Sequence, residues 1–216
     1  MNNEISIIIA DDHPIFRAGI KQITESTGIK IIGEASDGEE ALKLINELRP
    51  DAAVLDIDMP VIDGLGVLAE IKKLKIDIKI IFLTVHKNEK LFNKAMDTGA
   101  YGYVLKENAS SDLIDCIRSV IKGEYYISPI ISNLLFNRNK RKKEFVENHP
   151  EIYHLTDIER KILKMIADLK SSKEIADELF ISHRTVEKHR ENISNKLNLQ
   201  GSLSLVKFAI EYKSLL

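Results

Sequence analysis

The chain has 216 residues, 44% of them hydrophobic and 30% charged, with one cysteine and a formal net charge of −2. One cysteine excludes a disulfide framework and a four-thiolate zinc site, and the ample aliphatic content excludes low-complexity disorder. The longest nearly unbroken apolar run, Ile76 to Val85, is interrupted by Asp77 and Lys79 and falls short of the ~20 residues that cross a bilayer. No signal-peptide pattern opens the chain, so the expectation is a soluble cytoplasmic protein without a membrane partner.

The charge is unevenly shared. Residues 1–125 hold 15 basic and 21 acidic side chains, and residues 126–216 hold 16 and 12. An acidic domain followed by a mildly basic one is expected.

The first half alternates short apolar runs with segments of helical period. Ile5–Ala10, Ile29–Ala35, Ala52–Ile57, Ile78–Leu83 and Tyr101–Leu105 have strand length and are rich in Ile and Val. Asp37 caps a helix with Glu40 three residues on, ahead of the stripe Ala41, Leu42 and Ile45. The last helix carries Leu113, Ile114, Ile117, Val120 and Ile121 and stops at Gly123, with Cys116 on its buried side. Five strands alternating with five helices predict an α/β fold, a five-stranded parallel sheet doubly wound by helices.

In such sheets the chemistry gathers beyond the carboxyl ends of the strands. Asp11 and Asp12 follow the first strand, Asp56 the third, Thr84 the fourth and Lys106 the fifth. Clustered carboxylates repel unless a cation lies between them, and an all-oxygen site with few protein ligands suits Mg²⁺. Beside the metal, a carboxylate can act as nucleophile toward a phosphoryl donor while a hydroxyl and an ammonium hold the phosphoryl oxygens. The chemistry read from these residues is aspartyl phosphorylation.

Ala10-Asp11-Asp12-His13, Leu55-Asp56-Ile57-Asp58-Met59-Pro60, Asp63-Gly64, Thr84 and Tyr103-Val104-Leu105-Lys106 together resemble the receiver domain of two-component response regulators, across roughly residues 4–123. The resemblance implies that Asp56 is the phospho-acceptor and that a sensor histidine kinase is the partner. It implies Mg²⁺ held by Asp11, Asp12, Asp56 and the main-chain carbonyl of Asp58, with Lys106 on the phosphoryl group. Thr84 and Tyr103 would be the hydroxyl and aromatic of a switch, and Asp58 and His86 would tune the lifetime of the phosphorylated state. Lys106 precedes Glu107 where many receivers have proline, so no proline-type cis bond is expected.

Arg138, Lys140, Arg141, Lys142 and Lys143 lie in a polar stretch running to Asn148-His149-Pro150 without apolar periodicity, which reads as a linker, either a solvated tether or a phosphate contact. Beyond it the pattern is wholly helical. Thr156 to Glu159 and Ser171 to Glu174 are capping boxes opening two helices, and Ser182 caps a third running to about Leu197. A short helix, a brief turn and a longer helix make a helix-turn-helix, followed by a fourth helix from about Ser202 to Tyr212. Val186, Ile193 and Leu197 phase the third helix toward the core, leaving Arg184, Glu187, Lys188, Glu191 and Asn195 outward.

Leu155-Thr156-x-x-Glu159, Ser171-x-Lys173-Glu174-Ile175-Ala176, Ile181-Ser182-x-x-Thr185-Val186-x-x-His189 and Asn192-Ile193-x-x-Lys196-Leu197 resemble the LuxR-type helix-turn-helix. With the receiver, the arrangement is that of the NarL/FixJ class of transcriptional regulators. The resemblance implies double-stranded DNA as partner and a homodimer as active form. Glu187, Lys188 and Glu191 would face bases, and Lys173, Arg184, Thr185 and His189 would touch phosphates or groove edges. Ile158, Lys170 and Glu187 depart from the residues usual at their positions, which bears on the operator more than on the fold. The expected organisation is a receiver over 1–124, a linker over 125–150 and a small all-α helix-turn-helix domain over 151–216.

Two other readings use the same residues. Asp56-Ile57-Asp58 resembles the Asp-x-Asp of haloacid-dehalogenase-type phosphatases, but their acidic metal pair follows the Lys, whereas Asp11-Asp12 precedes it. The near balance of 11 basic and 10 acidic residues over 151–216 also admits a receiver-based interaction module with weak or no DNA binding. No enzyme activity is expected beyond self-phosphorylation and autodephosphorylation.

Overall fold

The computed structural model describes residues 4–25, 27–201 and 203–213, and the side chain of Lys142 lies outside that description. The chain divides into two compact units between Leu135 and Phe136. No helix among the described residues is long and apolar enough to cross a membrane.

In the first unit the strands are β1 (Ile5–Ala10), β2 (Ile29–Ala35), β3 (Ala52–Leu55), β4 (Lys79–Thr84), β5 (Gly102–Leu105) and β6 (Tyr126–Ile127). They form one parallel sheet in the order β2-β1-β3-β4-β5-β6. The helices are α1 (Pro14–Thr24), α2 (Gly38–Leu48), α3 (Gly64–Lys73), α4 (Glu89–Thr98) and α5 (Ala109–Ile121). Strand periodicity explains why both faces are covered. Ile8, Ala10, Ala53, Leu55, Ile80, Phe82, Tyr103 and Leu105 enter one core with residues of α2, α3 and α4. Ile7, Ile9, Ala52, Val54, Ile81, Leu83 and Val104 enter the other, with Ile20 of α1 and Leu113, Cys116, Ile117 and Val120 of α5. Asp37 caps α2 by accepting from the Glu40 amide, and Gly123 follows α5 at φ +87°, a conformation that favours glycine.

The sheet has a strand more than expected. Tyr126 and Ile127 pair with Gly102 and Tyr103, and the Ser128 amide donates to the Tyr103 carbonyl at 3.0 Å. Ser128, fully buried, donates from Oγ to Asp112 Oδ2 of α5 at 2.5 Å, which pins the added strand. The 125–150 segment also differs from an irregular tether. It holds β6, a 3-10 turn (Pro129–Ile131) and helix α6 (Ser132–Asn148). Leu134 packs in the first unit and Phe145 in the second, so the helix has an apolar anchor near each end although the turns between have none.

The second unit is helical: α7 (Asp157–Ala167), α8 (Ser172–Leu179), α9 (His183–Lys196) and α10 (Ser204–Glu211). Both expected capping boxes are present, at Thr156/Glu159 and Ser171/Glu174. The expected start of the last helix, Ser202, lies outside the described residues. One core joins Phe145, Ile162, Leu163, Ile166, Ile175, Val186, Ile193, Leu197, Leu205 and Phe208. Glu159, buried, accepts from Lys196 Nζ at 2.7 Å and from the Thr156 amide at 2.8 Å, tying the start of α7 to the end of α9.

Candidate functional site

The strand order reverses direction on either side of β1 and β3, and at such a point adjoining loops part to leave a crevice. Asp11 leaves β1 and Asp56 leaves β3 at that place, held by hydrogen bonds that the Asp11 amide donates to the Ala35 carbonyl at 3.2 Å and the Asp56 amide to the Ala10 carbonyl at 2.8 Å. Gly64 permits the loop to close: a Cβ there would stand 2.1 Å from the Asp56 main-chain oxygen.

Lys106, at the end of β5, reaches across the crevice. Its Nζ stands 2.7 Å from Asp56 Oδ2 and 2.7 Å from Asp11 Oδ2, with all three side chains almost fully buried. The Phe16 ring lies under the ammonium, 4.4 Å from its centroid. Burial holds the Asp56 carboxyl above its ordinary range despite Lys106, and Asp11 adds to the rise. For Lys106 burial opposes the charge, but bonds to the two carboxylates outweigh it and the ammonium stays charged.

Asp11, Asp12, His13 and Asp56 offer ligand atoms all within 4.8 Å of one another. Lys106 pairs with Asp11 and Asp56 while the nearby Asp12 carboxylate has no ammonium partner among the described residues, so the three carboxylates outweigh the one lysine and the donor set fits a hard divalent cation such as Mg²⁺. His13 joins this cluster unforeseen. Its Nδ1 is 2.6 Å from Asp12 Oδ1, and its amide donates to Asp11 Oδ1 at 2.9 Å. Arg17, also unforeseen, donates to the Asp11 main-chain oxygen at 2.6 Å. The signal for Phe16 and Arg17 was their position in the first turn of a helix that begins straight after the acidic pair.

His86 organises the neighbouring side. Its amide donates to Thr84 Oγ1 at 3.2 Å, and its carbonyl accepts from the Tyr103 hydroxyl at 3.0 Å. Its Nε2 lies 2.6 Å from Asp58 Oδ2. The Asp58 carboxylate therefore faces His86, while any part in a metal site falls to its main-chain carbonyl. Thr84 and Tyr103 are fully buried, and burial, with Asp58 nearby, raises the Tyr103 phenol.

In the second unit α9 presents the phase read from the sequence. Val186, Ile193 and Leu197 are buried, and Arg184, Thr185, Glu187, Lys188, Glu191 and Asn195 are exposed, as is Lys173 on α8. Glu187 Oε1 is 4.0 Å from His183 Nε2 and from Arg190 Nε. The Thr185 hydroxyl is engaged with Ser182 Oγ at 2.8 Å, and His189 is half-buried.

Residues 7–118 match the family of response regulator receiver domains, and residues 153–209 match the bacterial regulatory proteins of the luxR family. The chain is a two-component response regulator of the NarL/FixJ class. Among relatives of this response regulator, UvrY of Escherichia coli K12 is 36% identical over 96% of this chain and 94% of its own length. The oxygen regulatory protein NreC of Staphylococcus epidermidis is 34% identical over 98% and 99%. The solved complex of the response regulator RcsB with DNA aligns over 95% of this chain and 98% of its own, at 27% identity and a TM-score of 0.59. The response regulator thus couples a receiver to a LuxR-type DNA-binding domain.

Proposed function

We propose that this response regulator accepts a phosphoryl group on Asp56 from a partner histidine kinase, and that phosphorylation of Asp56 switches DNA binding in transcription control. The observation that carries the reading is Lys106 bridging Asp56 and Asp11 at 2.7 Å each, at the reversal point of the sheet. An Asp56 oxygen attacks phosphorus, its bond to the kinase histidine nitrogen breaks, and the ammonium exchanges carboxylate for phosphoryl oxygen. Thr84, freed from the His86 amide, turns its hydroxyl to another phosphoryl oxygen, and Tyr103 stays inward on the His86 carbonyl. Asp11, Asp12, Asp56 and the Asp58 carbonyl would hold Mg²⁺, which when bound supplies positive charge against the crowded oxygens. Hydrolysis by water returns Asp56 and inorganic phosphate, at a rate set by Asp58 and His86.

The switch acts by shifting an equilibrium between inactive and active arrangements. Residues 1–124 serve as receiver, 125–150 join the parts, and 151–216 bind DNA. Lys173, Arg184, Thr185 and His189 position α9 on the groove while Glu187, Lys188 and Glu191 face bases. The active form is a cytoplasmic homodimer; solved RcsB dimers on DNA, 26% identical over 95% of this chain at a TM-score of 0.57, support that state. Intact-mass analysis after treatment with acetyl phosphate tests the acceptor. One phosphoryl group should add to the wild type with Mg²⁺, and none with chelator or in Asp56→Asn; equal labelling of Asp56→Asn would refute Asp56.

A further inference from the structure

DNA carries one negative charge per ~1.7 Å of axis, and a protein binds it by setting several cations against phosphates. The helix-turn-helix domain is poorly supplied for this. Residues 151–216 hold 11 basic and 10 acidic side chains, and the exposed face of α9 includes Glu187 and Glu191. The positive charge of the second half lies instead in α6, where five of the six residues from Arg138 to Lys143 are basic.

Within that stretch Lys140 and Lys143 contribute little to the fold. Residues 137–144 contain no apolar side chain, so burial does not hold these turns. Lys140 and Lys143 pair with Glu144 and Glu147 at 3.8 Å, with lysine side chains 63% and 78% exposed. Exposed pairs at that distance contribute little, and basic before acidic is the weaker order along a helix. Yet the stretch is anchored. Phe145 is buried in the core of the second unit, its ring 4.7 Å from that of Tyr212 and 6.2 Å from that of Phe208. At 3.6 residues per turn, Lys140 and Lys143 fall on the side of the helix away from Phe145.

We infer that the Lys140/Lys143 face of α6 is a second DNA-contacting surface, which takes backbone phosphates beyond the bases read by α9. The inference rests on the DNA-binding reading above. An anionic bilayer would call for a continuous apolar face beside the cations, and a protein partner for several aromatic or aliphatic anchors; exposed Phe136 stands one turn before Lys140 on this face, but it is a single residue and residues 137–144 add no apolar side chain to it. Phosphates need only the cations. Contacts of this kind add affinity without choosing sequence.

The test is fluorescence anisotropy with the full chain, acetyl phosphate and Mg²⁺, on a duplex that the wild type selects from a random pool, across a KCl series. Lys140→Gln/Lys143→Gln should flatten the slope of log affinity against log salt by about 2 per bound protomer, at ~0.9 per lost phosphate contact. It should weaken binding at low salt at least tenfold and leave the preference for the selected over a scrambled duplex unchanged. Lys140→Arg/Lys143→Arg should keep the wild-type slope. An unchanged slope and affinity in the Gln variant overturns the inference while leaving DNA binding intact, and so does an Arg variant that falls as far as the Gln variant. A wild type that selects no duplex overturns both this surface and the DNA-binding reading.

Discussion

Tyr103 is completely buried and donates its hydroxyl to the main-chain oxygen of His86, 3.0 Å away. The same residue holds Thr84 through its amide and meets Asp58 through its ring, so one loop position joins the switch hydroxyl, the switch aromatic and the residue two beyond the acceptor. The Asp58 carboxylate engages the imidazole, and in the proposed function the ring obstructs the route of attacking water. His86→Ala keeps the main-chain bonds to Thr84 and Tyr103 and removes the obstruction. The phosphorylated state should decay severalfold faster, measured as phosphate release after removal of the donor; an unchanged lifetime would mean that the ring does not guard the route.

Burial and Asp11 hold the Asp56 carboxyl above its ordinary range, so its ionised form costs stability at neutral pH, and that cost is relieved as pH falls through the raised pKa. Asp56→Asn removes the charge at any pH. In chelator it should be more stable than the wild type, seen as a higher melting temperature. With saturating Mg²⁺ the difference should shrink or reverse, because the wild type then gains binding free energy that the variant loses. A variant less stable than the wild type in chelator would show that the carboxylates are not in conflict.

Glu159 has the opposite sign. Burial disfavours its charge, but Lys196 and the Thr156 amide and hydroxyl outweigh burial and lower its pKa. Its stabilisation is full above the ordinary carboxylate range and is lost as pH falls through the lowered pKa. Glu159→Gln should cost about 1.5–3 kcal/mol at neutral pH, the range for hydrogen bonds to charged groups, with the deficit fading in acid. Helical circular dichroism of the full chain during unfolding at several pH values measures both effects.

On α9, Lys188 is exposed and makes no ion pair with any described residue, whereas Glu187 stands near His183 and Arg190 and repels phosphates. Lys188→Ala should weaken specific binding more than Glu187→Ala in a gel-shift series at fixed salt. Equal losses would count against this phasing of the helix.

Much of this was legible in the sequence because it depended on period and punctuation. Short runs rich in Ile and Val marked strands of a sheet covered on both faces, strand ends located Asp11, Asp56, Thr84 and Lys106, and Thr-x-x-Glu and Ser-x-x-Glu located α7 and α8 respectively. Strand β6 was not legible because two residues are too short to show alternation, and its pin, Ser128 on Asp112, is a tertiary contact. Helix α6 was missed because its middle turns carry no apolar residue and its anchors, Leu134 and Phe145, lie eleven positions apart in different cores. The sequence placed His86 near the acceptor but could not disclose its three-way contact, since Thr84, Tyr103 and Asp58 meet it only through the folded sheet.

The central claim is that phosphate on Asp56 controls DNA binding by the second unit. Its most direct measurement is the affinity of the wild type and Asp56→Asn for a wild-type-selected duplex at fixed salt, each with and without acetyl phosphate and Mg²⁺. Phosphodonor with Mg²⁺ should change the affinity of the wild type at least severalfold and leave Asp56→Asn where it was. An identical affinity of the wild type with and without phosphodonor, on protein shown by mass to be phosphorylated, would contradict the account.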